Sequence, residues 1–155
     1  MTKKYGCSGH IDTSRIEGFS EESVRKNLRD LFSACGDARL YCGMADGADK
    51  IFFDEAVGRG IPVVAVLPKP AEEYAEEHAD GEAFFADLRL AQEVVTCDGY
   101  REATDYILSR CQELLVLWDG KKLPFVDENG APVHLGGTYY AIVNAEKKGL
   151  PIRFF

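Results

Sequence analysis

"IPVVAVL" (61–67) decides the fold. A strand with one face in water alternates apolar and polar residues; this run has no polar alternation. It reads as a strand buried on both faces, which is the mark of a parallel sheet covered by helices. "ELLVLW" (113–118) is a second buried strand. Working outward, a short strand at about 3–8 leads into "SGHID", and "ARLYC" (38–42) is another strand. A helix fits about 20–35. Ser20 stands as its N-cap, Glu21 and Glu22 occupy the positive first turn, and Phe19 and Val24 are placed for a hydrophobic staple. Val24, Leu28, Leu31, Phe32 and Cys35 form one apolar stripe. Further helices fit about 47–58, 82–93, 101–111 and 138–148, with "VVTC" (94–97) between the middle two. "PIRFF" closes as a strand. Such strand–helix alternation gives a doubly wound α/β fold with a mostly parallel sheet and helices on both faces.

Two segments break the rhythm. "AEEYAEEHADGE" (71–82) is an acidic run, read as a solvated helix face. "KKLPFVDENGAPVHL" (121–135) holds Asn129-Gly130, a tight-turn signal, and reads as an inserted hairpin.

The 155 residues match one domain with a sizeable core. The net charge of -8 is poorly suited to nucleic acid or to an anionic membrane, so neither is expected as a partner. The apolar runs fall short of the roughly 20 residues that span a bilayer, and no secretory signal is read. The five cysteines (Cys7, Cys35, Cys42, Cys97 and Cys111) are odd in number and lack a CxxC pair. They read as reduced core thiols of a cytoplasmic protein, with neither a disulfide framework nor a metal site.

The glycines carry an internal match. "GADKIFFDEAVGRGIPV" (47–63) and "GGTYYAIVNAEKKGLPI" (136–152) align at an offset of 89 residues, pairing Gly47 with Gly136, Ala56 with Ala145, Gly60 with Gly149 and Pro62 with Pro151. Each is a glycine loop, a helix, a glycine stop and a Pro-initiated strand. Gly60 and Gly149 suit the left-handed residue that ends a helix. Two helices therefore begin in small-residue loops after buried strands. Their free N–H groups and partial positive charge suit a phosphate, in the crevice where open α/β sheets bind ligands. The first loop, "CGMADGADK" (42–50), is not a P-loop: Gly43 and Gly47 are four apart and Ile51 follows Lys50. A metal reading is weak, because Asp46 and Asp49 lack a third ligand. A carboxylate there would repel phosphate, so Asp46 or Asp49 binds a ribose hydroxyl or orders the loop.

"SGH" (8–10), "GMADGAD" (43–49), "AVLP" (65–68), "LLVLWDG" (114–120) and "GGTYYAIVNA" (136–145) together resemble the SLOG superfamily of Rossmann-like nucleotide-binding domains. This group is related to the LOG-type phosphoribohydrolases and DNA-processing protein A. The resemblance spans nearly the whole chain. It implies one SLOG-like Rossmann-like domain over 1–155, with a ligand site over the strand ends. Ser8, Gly9 and His10 would sit on the first loop. Gly43, Met44, Ala45, Asp46, Gly47 and Asp49 would line the second, and Pro68 would end the third strand. Asp119, Gly136, Gly137 and Thr138 would complete the site, with Tyr139 or Tyr140 stacking a base and one of the two packing in the core. Relatives hold nucleoside monophosphates or NAD-derived signalling nucleotides, and some serve in bacterial defence or stress sensing.

The phosphoribohydrolases of the superfamily carry Pro-Gly-Gly-x-Gly-Thr-x-x-Glu, preceded by an Arg-Lys pair. Here the sequence is "LGGTYYA", with Ala141 where the glutamate would stand. Ala103 and Thr104 fall about where the cations would lie, and Arg101 is the nearest. Cleavage with oxocarbenium character wants a placed carboxylate. The expectation is therefore binding or sensing of a nucleotide or nucleotide-derived ligand, with no catalytic residue, cofactor or metal assigned. The alternative is a nucleotide N-glycosidase or phosphoribohydrolase, with Asp119 or Asp49 as substitute acid. A third reading is a protein-interaction module with a vestigial pocket. The partner is a nucleotide-type small molecule, and a homo-oligomer is left open.

Overall fold

The computed structural model describes residues 1–121, 124–126, 132–135 and 137–155. In chain order the elements are β1 (Lys3–Gly9), a 3-10 turn (Thr13–Arg15), α1 (Glu21–Ala34), β2 (Ala38–Cys42), α2 (Ala48–Gly58), β3 (Val63–Leu67), α3 (Ala71–Ala75), α4 (Gly81–Leu90), β4 (Glu93–Thr96), α5 (Tyr100–Arg110), β5 (Glu113–Leu117), β6 (Pro124–Val126), β7 (Pro132–Leu135), α6 (Gly137–Lys147) and β8 (Ile152–Phe154). Six of these strands form one sheet in the order β4-β3-β2-β1-β5-β8. Every pairing in it is parallel. The expected "mostly parallel" sheet is thus wholly parallel. The antiparallel pair, β6 with β7, stands apart as a two-stranded ribbon. The Asn129-Gly130 turn expected between them lies outside the described residues.

The reading of 61–67 explains the layering. Val63, Ala65 and Leu67 enter one apolar layer with Tyr5, Leu40 and the helical residues Leu28, Phe32, Ile51 and Phe52. Val64 and Val66 enter the other, against Ala103 and Ile107 of α5. β5 divides the same way: Leu115 and Leu117 join the first layer, while Leu114 and Val116 meet Leu108, Ala141, Ile142 and Ala145. Helices therefore cover both faces. Among the described residues no helix is long and apolar enough to cross a membrane.

The helix ends follow local chemistry. Ser20 accepts the Ser23 N–H at 3.3 Å as N-cap of α1. The two matched segments end alike. Gly60 has φ 75° and Gly149 has φ 70°, and the next N–H in each case reaches back to an alanine carbonyl (Ile61 to Ala56 at 2.9 Å, Leu150 to Ala145 at 3.0 Å). Both are Schellman closures, a conformation glycine adopts without a Cβ penalty.

The acidic run is corrected. It is not one solvated helix but α3, a turn and the start of α4. Tyr74 is buried and its ring meets Phe84 and His78 edge-on. Apolar content inside the run pulls it onto the sheet's carboxyl edge.

The strand order reverses between β1 and β5, which pair from Tyr5↔Glu113 to Gly9↔Leu117. The chain leaves these two strands toward different neighbours, and a crevice opens over their carboxyl ends. Gly9 sits at that point because nothing larger fits: a Cβ would lie 2.3 Å from the Ala48 Cβ and 2.9 Å from the Leu117 carbonyl oxygen. Gly9→Ala should cost about 3 kcal/mol, since the obstructing atoms belong to a helix turn and a strand that cannot yield cheaply. Gly58→Ala, in open space inside α2, should gain about 0.5–1 kcal/mol. Chemical denaturation measures both; equal stability of Gly9→Ala and the parent would refute the packing account.

Candidate functional site

The crevice at the β1/β5 reversal encloses about 450 Å³. Ser8, Gly9 and His10 line it from the end of β1 and the residue after it, Gly43, Ala45 and Asp46 from the loop after β2, and Asp49 from the first turn of α2. Pro68, Gly137 and Thr138 line it from the ends of β3 and the start of α6. Met44, Gly47 and Asp119 do not line it. Met44, at φ 62°, turns its side chain away into the core. Gly47 does not reach the crevice. It is the N-cap of α2 at φ 78°, where a Cβ would lie 2.0 Å from the Ile11 carbonyl oxygen. Its requirement is close backbone approach to the first loop, not room for a ligand. Gly136 lies outside the described residues.

The loop 43–49 is held from within. The Asp49 side chain is buried and accepts the Ala45 N–H at 3.2 Å. Asp46 accepts the Ala79 N–H at 2.8 Å. The Ala48 N–H, one of the free donors of α2, is spent on the His10 carbonyl at 3.0 Å. Loop ordering, one of the two roles offered for these carboxylates, is therefore the one with visible partners. The two small-residue loops are not equivalent: in this one the Asp49 carboxylate and the His10 carbonyl take two of the N–H donors. Burial pushes the Asp49 carboxyl up to about 7 against the hydrogen bonds from Ala45 and Cys7. Burial, with Cys42 and Asp49 close by, also raises the Cys7 thiol.

At the other end stands Asp119, its side chain 2% exposed. His10 Nε2 lies 3.2 Å from both the backbone nitrogen and Oδ1 of Asp119. Whichever tautomer is present, the ring is tied to this residue. Arg15 Nη2 donates to Asp119 Oδ2 at 3.2 Å, and the Lys121 N–H donates to Oδ1 at 2.9 Å. Asp12 positions Arg15 by capping the 3-10 turn through the Ser14 N–H. Asp119 is thus an organiser beneath the crevice, a role the WDG motif did not distinguish from a ligand contact.

Several lining residues escaped the sequence reading: Arg15, Tyr74, Glu77, His78, Tyr100, Trp118 and Lys121. The acidic run supplies three of them. The Tyr74 hydroxyl donates to the Gly43 carbonyl at 2.9 Å. His78 places Nδ1 2.8 Å from the Tyr74 carbonyl and Nε2 2.6 Å from that of Met44, and stacks on Phe84. Glu77 pairs with Lys69 and with the Tyr100 hydroxyl. The legible signal was the aromatic and histidine content of that run. Tyr139 stacks on Trp118 with rings 6.1 Å apart and 11° between planes. Tyr140 bonds Asp105 and lies under Arg101. Both tyrosines are partly buried, so neither packs in the core as one was expected to.

Charge is grouped along the crevice wall. Arg15 and the Lys121 N–H meet at Asp119, while Asp46 bonds Ala79, two residues from Glu77, and Asp49 bonds Ala45 in the same loop as Asp46. An anion is favoured beside the cations rather than beside these carboxylates.

No family model matches the chain, and no curated protein sequence does. Solved structures do match. DNA processing protein A (DprA) from Streptococcus pneumoniae superposes on 99% of this chain and 50% of its own, with a TM-score of 0.66 and 14% identity. TM1055, a structural genomics target, superposes on 97% of this chain and 72% of its own, with a TM-score of 0.61 and 17% identity. The chain spans half the length of DprA. The likeness is one of fold: a parallel sheet between helices.

Burial works to raise the Asp119 carboxyl, but the donors from Lys121, His10 and Arg15 outweigh it and hold the group below the ordinary carboxylate range. A carboxyl lowered on folding stabilises the native state above its unfolded pKa and ceases to do so as pH falls through its folded value. Asp119→Asn should cost about 1–2 kcal/mol at pH 7. The gap to the parent should narrow below about pH 4. Urea titrations across that range measure it; a gap constant with pH would exclude the charged organiser.

Proposed function

We propose that the crevice binds or senses a nucleotide or nucleotide-derived ligand: a nucleoside monophosphate, ADP-ribose or an NAD derivative. The observation that carries this reading is the start of α6. Gly137 is exposed at the first helical turn, a Cβ there would meet nothing within 4 Å, and Arg15 and Lys121 line the same crevice. A phosphate is suited to the N–H end of a helix, with Lys121 and the Asp119-paired Arg15 on the same crevice. The crevice carboxylates suit hydroxyl and amino donors of a sugar or base, and the paired Trp118 and Tyr139 rings provide aromatic surface.

In this reading residues 1–155 act as one SLOG-like domain in a bacterial cytoplasm. DprA is a DNA-processing protein by name, but a net charge of -8 argues against nucleic acid as the partner of this chain. The enzymatic alternative has one observation in its favour, the His10–Asp119 pair at the crevice. Against it, Ala141 is buried in the apolar layer under α6, and the wall positions corresponding to the missing cation pair are Ala103 and Thr104.

Thermal-shift screening should find stabilisation by at least one mono- or dinucleotide, about 2.7 kcal/mol at a hundred times the dissociation constant. With the best of these in calorimetry, Gly137→Asp should bind at least tenfold more weakly, about 1.4 kcal/mol, while remaining folded. Lys147→Ala, at the far end of α6, should bind normally. Undiminished binding by Gly137→Asp would remove the phosphate from this loop, and no shift with any nucleotide at millimolar concentration would remove the ligand class. AMP should survive incubation intact by chromatography; adenine release that Asp119→Asn abolishes would replace binding with hydrolysis.

A further inference from the structure

Below the floor of the crevice, three potential ligand atoms converge from three elements. Cys7 comes from β1, Cys42 from the end of β2 and Asp49 from the first turn of α2. Their two sulfurs and one carboxylate oxygen all lie within 4.8 Å of one another, and all three residues are buried. Cys7 and Asp49 also line the crevice, so the cluster is reached from it. We propose that Cys7, Cys42 and Asp49 bind a thiophilic divalent cation of the zinc type, with the fourth coordination position facing the crevice.

The donor set selects the ion. Two thiolates and a carboxylate favour zinc and its soft relatives over magnesium or calcium, which want oxygen alone. Three negative charges exceed the charge of the ion by one, so binding relieves a buried site of uncompensated repulsion between ionised ligands. Ligands about 2.0–2.3 Å from zinc in a tetrahedron stand about 3.5–3.8 Å apart. The Cys7 sulfur is already 3.8 Å from Asp49 Oδ1, so closure needs only side-chain rotation of about 1 Å. The supporting contacts are also present. Asp49 Oδ2 accepts the Ala45 N–H, which orients the carboxylate and leaves Oδ1 for the ion. The two cysteine thiols donate at 3.7 Å to backbone carbonyls, those of Tyr41 and Asp49, weak contacts that a metal–sulfur bond replaces at little loss. Gly43 lies close beside the cluster: a Cβ there would be 3.1 Å from Asp49 Oδ2. The cluster shares Asp49 with the carboxylate wall of the crevice, but cobalt binding is read without nucleotide, so its failure and that of the nucleotide reading are distinguishable.

Cobalt(II) reports on it directly. The full chain, reduced and stripped of metal with a chelator, is titrated with cobalt without oxygen. The expected result is a thiolate-to-cobalt charge-transfer band with intense visible bands of four-coordinate cobalt, saturating at one equivalent and displaced by zinc. Cys42→Ala should abolish the band. Asp49→Asn, which keeps size and the Ala45 bond, should weaken cobalt binding at least tenfold (about 1.4 kcal/mol) but retain sulfur-to-metal absorption. Cys111→Ala, whose thiol packs under α6 in a separate apolar cluster, should titrate as the parent does. Absence of a charge-transfer band in the folded parent at millimolar cobalt overturns the proposal without any variant. So does a band that survives Cys42→Ala, or one lost equally in Cys111→Ala. Should Cys42→Ala fail to fold by circular dichroism, the parent titration and Asp49→Asn still decide.

Discussion

The carboxyl end of β1 touches two structures at once, and the architecture around the crevice depends on that double contact. Gly9 pairs with Leu117 of β5 and lies against Ala48 of α2, while the next carbonyl, of His10, accepts the Ala48 N–H at 3.0 Å. Neither neighbour leaves space for a side chain. The close approach seats α2 beside β1, and it occurs where the sheet reverses its strand order and the chain must leave the plane. Gly47 completes the joint from the other side, at φ 78° against the Ile11 carbonyl. Two glycines that look like parts of phosphate loops thus serve a meeting of backbones.

This joint also bears on where an anion is favoured. The Ala48 N–H of the α2 terminus is spent on His10, and the buried Asp49 carboxylate takes the Ala45 N–H of the loop before it, which disfavours an anion there. What remains is the start of α6, with Arg15 and Lys121 close to the same cavity. Arg15 is brought there by a short chain of contacts: Asp12 caps the 3-10 turn, the turn aims the guanidinium, and Asp119 holds it. Asp119 in turn ties down His10. A buried carboxylate ringed by donors is stable only while every donor remains, which makes this corner stiff. A ligand arriving there meets groups already in position, so little ordering cost is added on binding.

Against DprA the chain matches half of a longer protein. The common part is the layered sheet, and a layered sheet tolerates almost any loop at its carboxyl edge. In this chain those loops carry the acidic segment after β3, whose Tyr74 and His78 clamp the Gly43–Met44 backbone, and the β6–β7 ribbon before α6.

What the sequence by itself determined was the scaffold. Unbroken apolar runs at 61–67 and 114–118 demanded burial on two faces, and a parallel sheet between helices provides it. The stops at Gly60 and Gly149 were equally legible, because a left-handed residue has a local cause. So were most of the residues at the strand ends, since in such a sheet loops after strands must share one edge. What only the tertiary structure decided was how those residues are used. Met44 and Gly47 lie in the right loop but face the core and a neighbouring backbone, because orientation depends on what α2 packs against. Tyr74, Glu77 and His78 entered the crevice from a run whose charge pattern spoke of solvent; burying one tyrosine outweighed it. Cys7, Cys42 and Asp49 are separated by 35 and 7 positions, a spacing with no local signature. Adjacent parallel strands and the helix turn after the second bring their ligand atoms within 4.8 Å. Contacts of that kind arise from register between strands, and register is settled by the packing of the whole sheet.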